Sequence, residues 1–257
     1  MPEGIRQVRL GSTEVQISVL GIGTGTFGFG RQSRQSSQSP EALGALLRAA
    51  YFAGITWWDT SDDYGTHGHV REGLAGVPRD RVQIASKTHA TGGQAARESL
   101  ELALKELATP YLDLYFLHDT DSPEELEAKL PALRELNRAK DQGLVRAVAL
   151  STHHIDTLEA CIGLPGLDVV MTNFNKFEDH MDAGLKHYVA ALEAHHAAGT
   201  GVLVMKAVGE GRLAHVAAES IRWNLEQPYI NGVLVGMEDE AQVFENARLA
   251  AARPLRT

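Results

Sequence analysis

Gly21-Ile22-Gly23-Thr24-Gly25-Thr26-Phe27-Gly28 is the stretch whose reading separates two architectures for this chain. It follows a short apolar run and precedes a helical pattern, which is where an open doubly wound sheet carries its glycine fingerprint. The fingerprint needs an acid about 20 residues further on. The acid at the end of the second apolar run, Asp59, lies well beyond that distance from Gly28, so the glycines imitate the pattern only weakly.

Working outward, the stretch adjoins the first of eight apolar runs rich in Val, Ile and aromatics. They span residues 18–21, 55–59, 82–87, 112–118, 145–151, 169–175, 202–206 and 232–236. Between them, apolar residues recur at helical spacing, as in Leu100, Ala103, Leu104 and Leu107, or Leu185, Tyr188, Val189 and Leu192. Strands apolar on both faces and separated by helices form parallel sheets covered by those helices. Eight such units in 257 residues match a closed α/β TIM barrel, the parallel (β/α)8 fold of roughly 250 residues. The expectation is therefore one barrel domain over residues 1–257, with the open sheet as the alternative.

Local signals refine this. Residues 8–16, with Gly11-Ser12-Thr13-Glu14 at the turn, read as an N-terminal β-hairpin closing the barrel bottom. Residues 28–40, rich in Ser and Gln, read as a mobile loop. Ser122-Pro123-Glu124-Glu125 starts a helix, Pro131 is expected to divide it into two, and Gly199 ends the helical segment that begins near Met181.

Twenty-four Lys and Arg against 33 Asp and Glu give a net charge of −9. That balance argues against nucleic acid as a partner, since phosphate binding needs a surplus of cations. The single cysteine, Cys161, forms no internal disulfide and points to a reducing compartment, with a buried apolar role expected. The N-terminus lacks a basic-then-apolar signal, and no apolar run approaches the roughly 18 residues of a membrane helix. A cytoplasmic protein with no membrane partner is expected.

Polar residues at the C-terminal ends of barrel strands share one mouth. Here they are Asp59, Lys87, His118, Ser151, Asn175 and Lys206, with Tyr64 in the loop after Asp59. Asp, Tyr, Lys and His together form a proton-transfer group in which the phenol donates, the ammonium lowers its pKa and the carboxylate fixes the ammonium. Two plainer readings stand beside this one. Asp59 and Lys87 form a structural ion pair in the first. In the second, His67 with His69, His153 with His154, and His118 bind a catalytic metal, but the His-x-His of barrel hydrolases is missing from the first strand, and no metal is expected. His195-His196 reads as a solvated helix end.

Trp58-Asp59-Thr60-Ser61-Asp62-Asp63-Tyr64-Gly65, Ile84-Ala85-Ser86-Lys87 and Tyr115-Phe116-Leu117-His118 resemble the successive active-site motifs of the aldo-keto reductases. The resemblance extends through Arg9-Leu10-Gly11-Ser12, Leu20-Gly21-Ile22-Gly23-Thr24, Ala149-Leu150-Ser151-Thr152-His153, and Val204-Met205-Lys206 with Gly209-Glu210-Gly211. It ends in Arg222-Trp223-Asn224-Leu225, Val235-Gly236-Met237 and Glu245-Asn246. The order and spacing of these motifs carry it over nearly the whole chain.

The resemblance implies an NAD(P)H-dependent oxidoreductase that reduces a small-molecule aldehyde or ketone. Tyr64 would be the proton donor, tuned by Lys87 and Asp59, with His118 orienting the substrate. For NADPH or NADH it implies Thr24, Ser151, Thr152 and Asn175 on the nicotinamide side, Lys206 at the pyrophosphate, and Gly236, Met237, Gln242 and Asn246 at the adenosine half. Thr152 departs from the family's frequent Asn, and Met171 from its sixth-strand Gln. Gly236-Met237-Glu238-Asp239-Glu240-Ala241-Gln242 contains no cation. Its carboxylates would repel a 2′-phosphate, which favours NADH unless Arg212 or Arg248 supplies the charge. Only a short segment follows Asn246, so a long specificity loop over the substrate is not expected. A non-catalytic nicotinamide-binding barrel, a sensor or subunit, is the alternative reading.

Overall fold

A computed structural model describes residues 4–251. Gln7–Arg9 (β1) and Gln16–Ser18 (β2) pair antiparallel. Eight further strands close a parallel barrel: Leu20–Gly23 (β3), Trp57–Asp59 (β4), Gln83–Thr88 (β5), Leu112–Leu117 (β6), Val145–Thr152 (β7), Val169–Asn173 (β8), Gly201–Met205 (β9) and Gly232–Gly236 (β10). Val233 of β10 stands opposite Leu20 of β3, which closes the ring and excludes the open sheet. The helices are Pro40–Phe52 (α1), His67–Gly73 (α2), Gly93–Leu107 (α3), Pro123–Asp141 (α4), Ile155–Ala160 (α5), Leu185–Ala197 (α6), Ala217–Leu225 (α7) and Glu240–Ala251 (α8). Among the described residues, none is long and apolar enough to cross a membrane.

Strand alternation builds two cores. Leu114 and Phe116 of β6 point into the barrel, where the small Ala85, Ala147 and Ala149 leave room for Trp57 and Phe116. Tyr115 and Leu117 face outward into the layer between sheet and helices, with Leu100, Leu107 and Leu133. Leu10, Val15 and Ile17 of the hairpin enter the inner core, and Ser12 N–H donates to the Gly199 carbonyl at 2.8 Å, so the hairpin plugs the bottom as expected.

Several local expectations change. Pro131 lies inside one continuous α4. Pro131 and Glu127, the residue whose carbonyl loses its intrahelical donor, are both exposed, while Leu126, Ala132, Leu133, Leu136 and Ala139 keep an unbroken buried stripe. The start is as read: Ser122 Oγ accepts from Glu125 N–H at 3.1 Å. Helix α6 begins at Leu185 rather than near Met181. The polar loop 28–40 is pinned, because Gln35 is wholly buried and bonds Thr26 twice, accepting from its N–H at 3.0 Å and donating to its Oγ1 at 2.8 Å. His195 is wholly buried rather than solvated, with Nε2 2.7 Å from the Leu158 carbonyl. Cys161 is buried, and burial pushes its thiol up to about 12.

Candidate active site

Asp59 closes β4, Lys87 lies one residue before the end of β5, and His118 directly follows β6. Parallel register therefore places the three side by side at one end of the barrel. Lys87 Nζ donates to both Asp59 carboxylate oxygens at 2.7 Å and to the Thr60 carbonyl at 2.9 Å. Both side chains are buried. Each of the three ammonium protons thus has an acceptor.

The Lys87 Nζ stands 4.6 Å from the centroid of the Tyr64 ring. The phenol oxygen lies 3.2 Å from His118 Nε2, and His118 Nδ1 lies 3.2 Å from Ser61 Oγ. Ser61 in turn donates its one proton to Asp62 Oδ1 at 3.1 Å. Ser61 must therefore accept from Nδ1–H, which assigns the lone pair of Nε2 to the Tyr64 hydroxyl. Burial, followed by the nearby Lys87 charge, holds His118 well below the usual histidine range, so the ring is neutral.

Burial, then the charges of Asp59, Asp119, Asp63 and Asp62, pushes the Tyr64 phenol well above its ordinary value. This reverses the expectation that Lys87 lowers it. The ammonium is already neutralised by Asp59, and four carboxylates outweigh what remains. A phenol that stays protonated suits a proton donor.

The glycines of the opening stretch have a packing role here. A Cβ on Gly25 would come within 2.2 Å of the Tyr64 ring, and one on Gly28 within 2.3 Å. The two glycines make the slot that grips the ring.

A cleft of about 850 Å³ runs from Asp59 and Tyr64 past Lys206 and Gly236 to Gln242 and Asn246. It brings six of the sequence-designated residues together. Thr24, Ser151, Thr152 and Asn175 do not line it and make hydrogen bonds around the mouth. Thr24 Oγ1 donates to the Asp59 carbonyl at 2.9 Å, and Ser151 Oγ accepts from Asp119 N–H at 3.2 Å. Thr152 Oγ1 donates to Asp121 at 3.4 Å. The Asn175 amide is saturated by its own loop and the Lys206 carbonyl, while the Met237 side chain is wholly buried in the core. Lys206 is ion-paired with Glu210 and has a left-handed φ of 57°, an uncommon backbone for a lysine that is found at functional loops.

Arg34 is the residue that sequence reasoning missed. It lines the cleft from the 28–40 loop and pairs with Glu238 at 3.0 Å. Arg212 is instead paired with Asp179 at 2.8 Å, and Arg248 is exposed on α8 and does not line the cleft. No spacing rule marks one arginine in a polar loop, so the sequence held no signal for it.

His67 and His69 do not converge. His67 bridges Glu106 at 2.6 Å and the buried Ser86 hydroxyl at 2.9 Å, while His69 donates to the Gln38 carbonyl at 3.0 Å. Burial lowers the pKa of His67 and His195 as it does that of His118. The unfolded chain takes up protons at these imidazoles as pH falls through the ordinary histidine value of about 6.5, and the folded chain resists them, so acid favours unfolding. His153 acts the other way: burial is outweighed by its hydrogen bond to Asp121 and by Asp119 and Asp121 charge, which raise it. With three groups against one, the thermal midpoint should fall between about pH 7 and pH 5. A midpoint that stays level across that window would contradict this.

The aldo/keto reductase family model matches residues 20–215, and the chain belongs to that family. The soybean (Glycine max) protein named "Probable aldo-keto reductase 1" is 29% identical over 168 residues, 60% of this chain and 47% of that one. Aldo-keto reductase YhdN of Bacillus subtilis is 28% identical over 199 residues, 70% of this chain and 56% of that one. The chain thus spans about half the length of the curated relatives it matches. In fold it is similar to the holo form of aldo-keto reductase AKR11C1 from Bacillus halodurans, with a TM-score of 0.79 at 18% identity, covering 98% of this chain and 92% of that one.

Proposed function

We propose that this protein is an oxidoreductase that reduces an aldehyde or ketone to the alcohol with NADH or NADPH, Tyr64 donating the proton. The observation that carries the reading is a tyrosine whose phenol oxygen lies 3.2 Å from His118 Nε2 and whose ring centroid lies 4.6 Å from the fixed Lys87 ammonium, at the end of an open cleft. The cleft volume falls within the roughly 300–1,000 Å³ of small-molecule and cofactor sites. It contains Lys206 for an anionic group and the Asn246 amide, which makes no hydrogen bond among the described residues. Lys206 and Asn246 would help hold a reduced nicotinamide cofactor, which would supply the hydride for the carbonyl carbon. Tyr64 then gives its proton to the carbonyl oxygen, and His118 Nε2 holds the phenol until that oxygen competes for it. The test is oxidation of NADH or NADPH by the purified protein with a panel of simple aldehydes and ketones. Cofactor binding without turnover on any of them would replace this reading with the non-catalytic barrel.

Gly25→Ala should push the Tyr64 ring out of its slot. A displacement of about 1 Å can cost about 10²-fold in rate, so kcat should fall by about that factor. An unchanged kcat would show that the slot does not position the phenol.

The cofactor reading is NADH over NADPH. Arg34, the arginine that lines the cleft, is already paired with Glu238, and Glu245 adds a further carboxylate. Glu238→Gln should release Arg34 and tighten NADPH binding by about tenfold, equivalent to about 1.4 kcal/mol, with NADH little changed. Dissociation constants from nicotinamide fluorescence decide this, and equal changes for both cofactors would contradict it.

A further inference from the structure

We propose that Asp62, His89 and His118 form a binding site for a late first-row divalent metal ion of the Zn²⁺ class, and that its occupation blocks the active site. One ligand atom from each of the three side chains lies within 4.8 Å of the others. Two imidazoles and a carboxylate are a donor set for Zn²⁺, whereas Mg²⁺ and Ca²⁺ favour all-oxygen shells. The set shares His118 with the metal reading of the sequence but replaces the His67/His69 and His153/His154 pairs with Asp62 and His89.

Backbone hydrogen bonds fix the arrangement. Asp62 N–H donates to the Lys87 carbonyl at 3.3 Å, and His118 N–H donates to the Thr88 carbonyl at 2.8 Å. Both thereby flank the chain where it leaves β5 at His89. The His89 and His118 rings face each other at 4.5 Å between centroids, tilted by 37°. His89 makes no hydrogen bond among the described residues, and its nearest carboxylate is Asp63 at 3.9 Å. Its side chain is 45% exposed, so it can turn to close the remaining distance and leaves the ion a path from solvent.

Three protein ligands leave a fourth position open to water. Both His118 nitrogens are engaged, one by Tyr64 and one by Ser61. Coordination through either breaks one of these contacts and takes from Tyr64 its hydrogen-bond partner or that partner's orientation. Metal binding stands apart from the reductase reading, and only the block of turnover rests on it.

The test is calorimetric titration of the full chain with ZnCl2, and with MgCl2 as control, for wild type, His89→Ala and Asp62→Asn. Circular dichroism of each variant checks the fold. One Zn²⁺ per chain is expected in wild type, with affinity falling at least tenfold in both variants and no Mg²⁺ heat. Absence of Zn²⁺ binding, or affinity unchanged in His89→Ala, overturns the site. In the activity arm, Zn²⁺ should inhibit wild type, a chelator should restore it, and His89→Ala should escape. A chain that binds Zn²⁺ through His89 but never turns over carbonyls sinks the reductase reading alone. An active enzyme that binds no Zn²⁺ sinks the metal site alone.

Discussion

Tyr64→Phe should lower kcat by about 10²–10⁴-fold, the range for loss of a positioned general acid, with cofactor affinity retained. The substitution removes one oxygen and leaves the ring to fill the slot between Gly25 and Gly28. Lys87 keeps its three acceptors at Asp59 and Thr60, so the buried charges stay satisfied. The loss should therefore appear chiefly in the chemical step, with the thermal midpoint lowered only by the unpaired His118 Nε2. Steady-state kinetics beside a melting curve make the distinction. A variant that keeps near wild-type kcat would remove Tyr64 from the role of acid, whereas one that fails to fold would place the residue's importance in packing.

Lys87→Met should give the largest loss of stability. It leaves the Asp59 carboxylate buried without a partner, and breaking a buried ion pair from one side costs about 3–5 kcal/mol. For a chain of this size, that is a drop in melting temperature of roughly 6–20 °C. Asp59→Asn combined with Lys87→Met removes both charges and should recover much of the loss, because the desolvation penalty disappears with the pair. Neither form should turn over a carbonyl at the wild-type rate. Calorimetry on the two variants tests the account, and equal destabilisation of both would show that the geometry of the pair, and not its charge balance, holds this end of the barrel.

The barrel was legible because each strand carries apolar residues on both faces. Leu112-Asp-Leu-Tyr-Phe-Leu117 reads as continuously buried since Leu114 and Phe116 fill the interior while Tyr115 and Leu117 meet the helices. Chain length then distinguishes a closed ring from an open sheet. Pro131 misled because the cost of a helical proline depends on which way the freed carbonyl faces, and that is set by tertiary packing.

Asp59, Lys87 and His118 were legible because strand ends project to one mouth, a property of the topology, and Tyr64 because it follows Asp59 in the adjoining loop. The pKa of Tyr64 was not, since its direction depends on how many carboxylates crowd it and on whether Lys87 is already neutralised. The braces at Thr24, Ser151 and Asn175 look like ligand-contacting polar residues in sequence. Their hydrogen-bond partners add a structural role at the mouth that residue type and spacing do not reveal. The reading of 21–28 also sharpened: its glycines imitate a phosphate cradle, yet two of them make space for an aromatic ring.

The most direct test of the central claim is isotopic. The full chain would be incubated with an aldehyde and NADH or NADPH carrying deuterium at the transferable C4 position, and the alcohol analysed by mass spectrometry. The account predicts deuterium on the former carbonyl carbon, with the label lost when unlabelled cofactor is used in heavy water. An alcohol carrying no cofactor-derived deuterium, or no alcohol from any carbonyl in the panel, would contradict it.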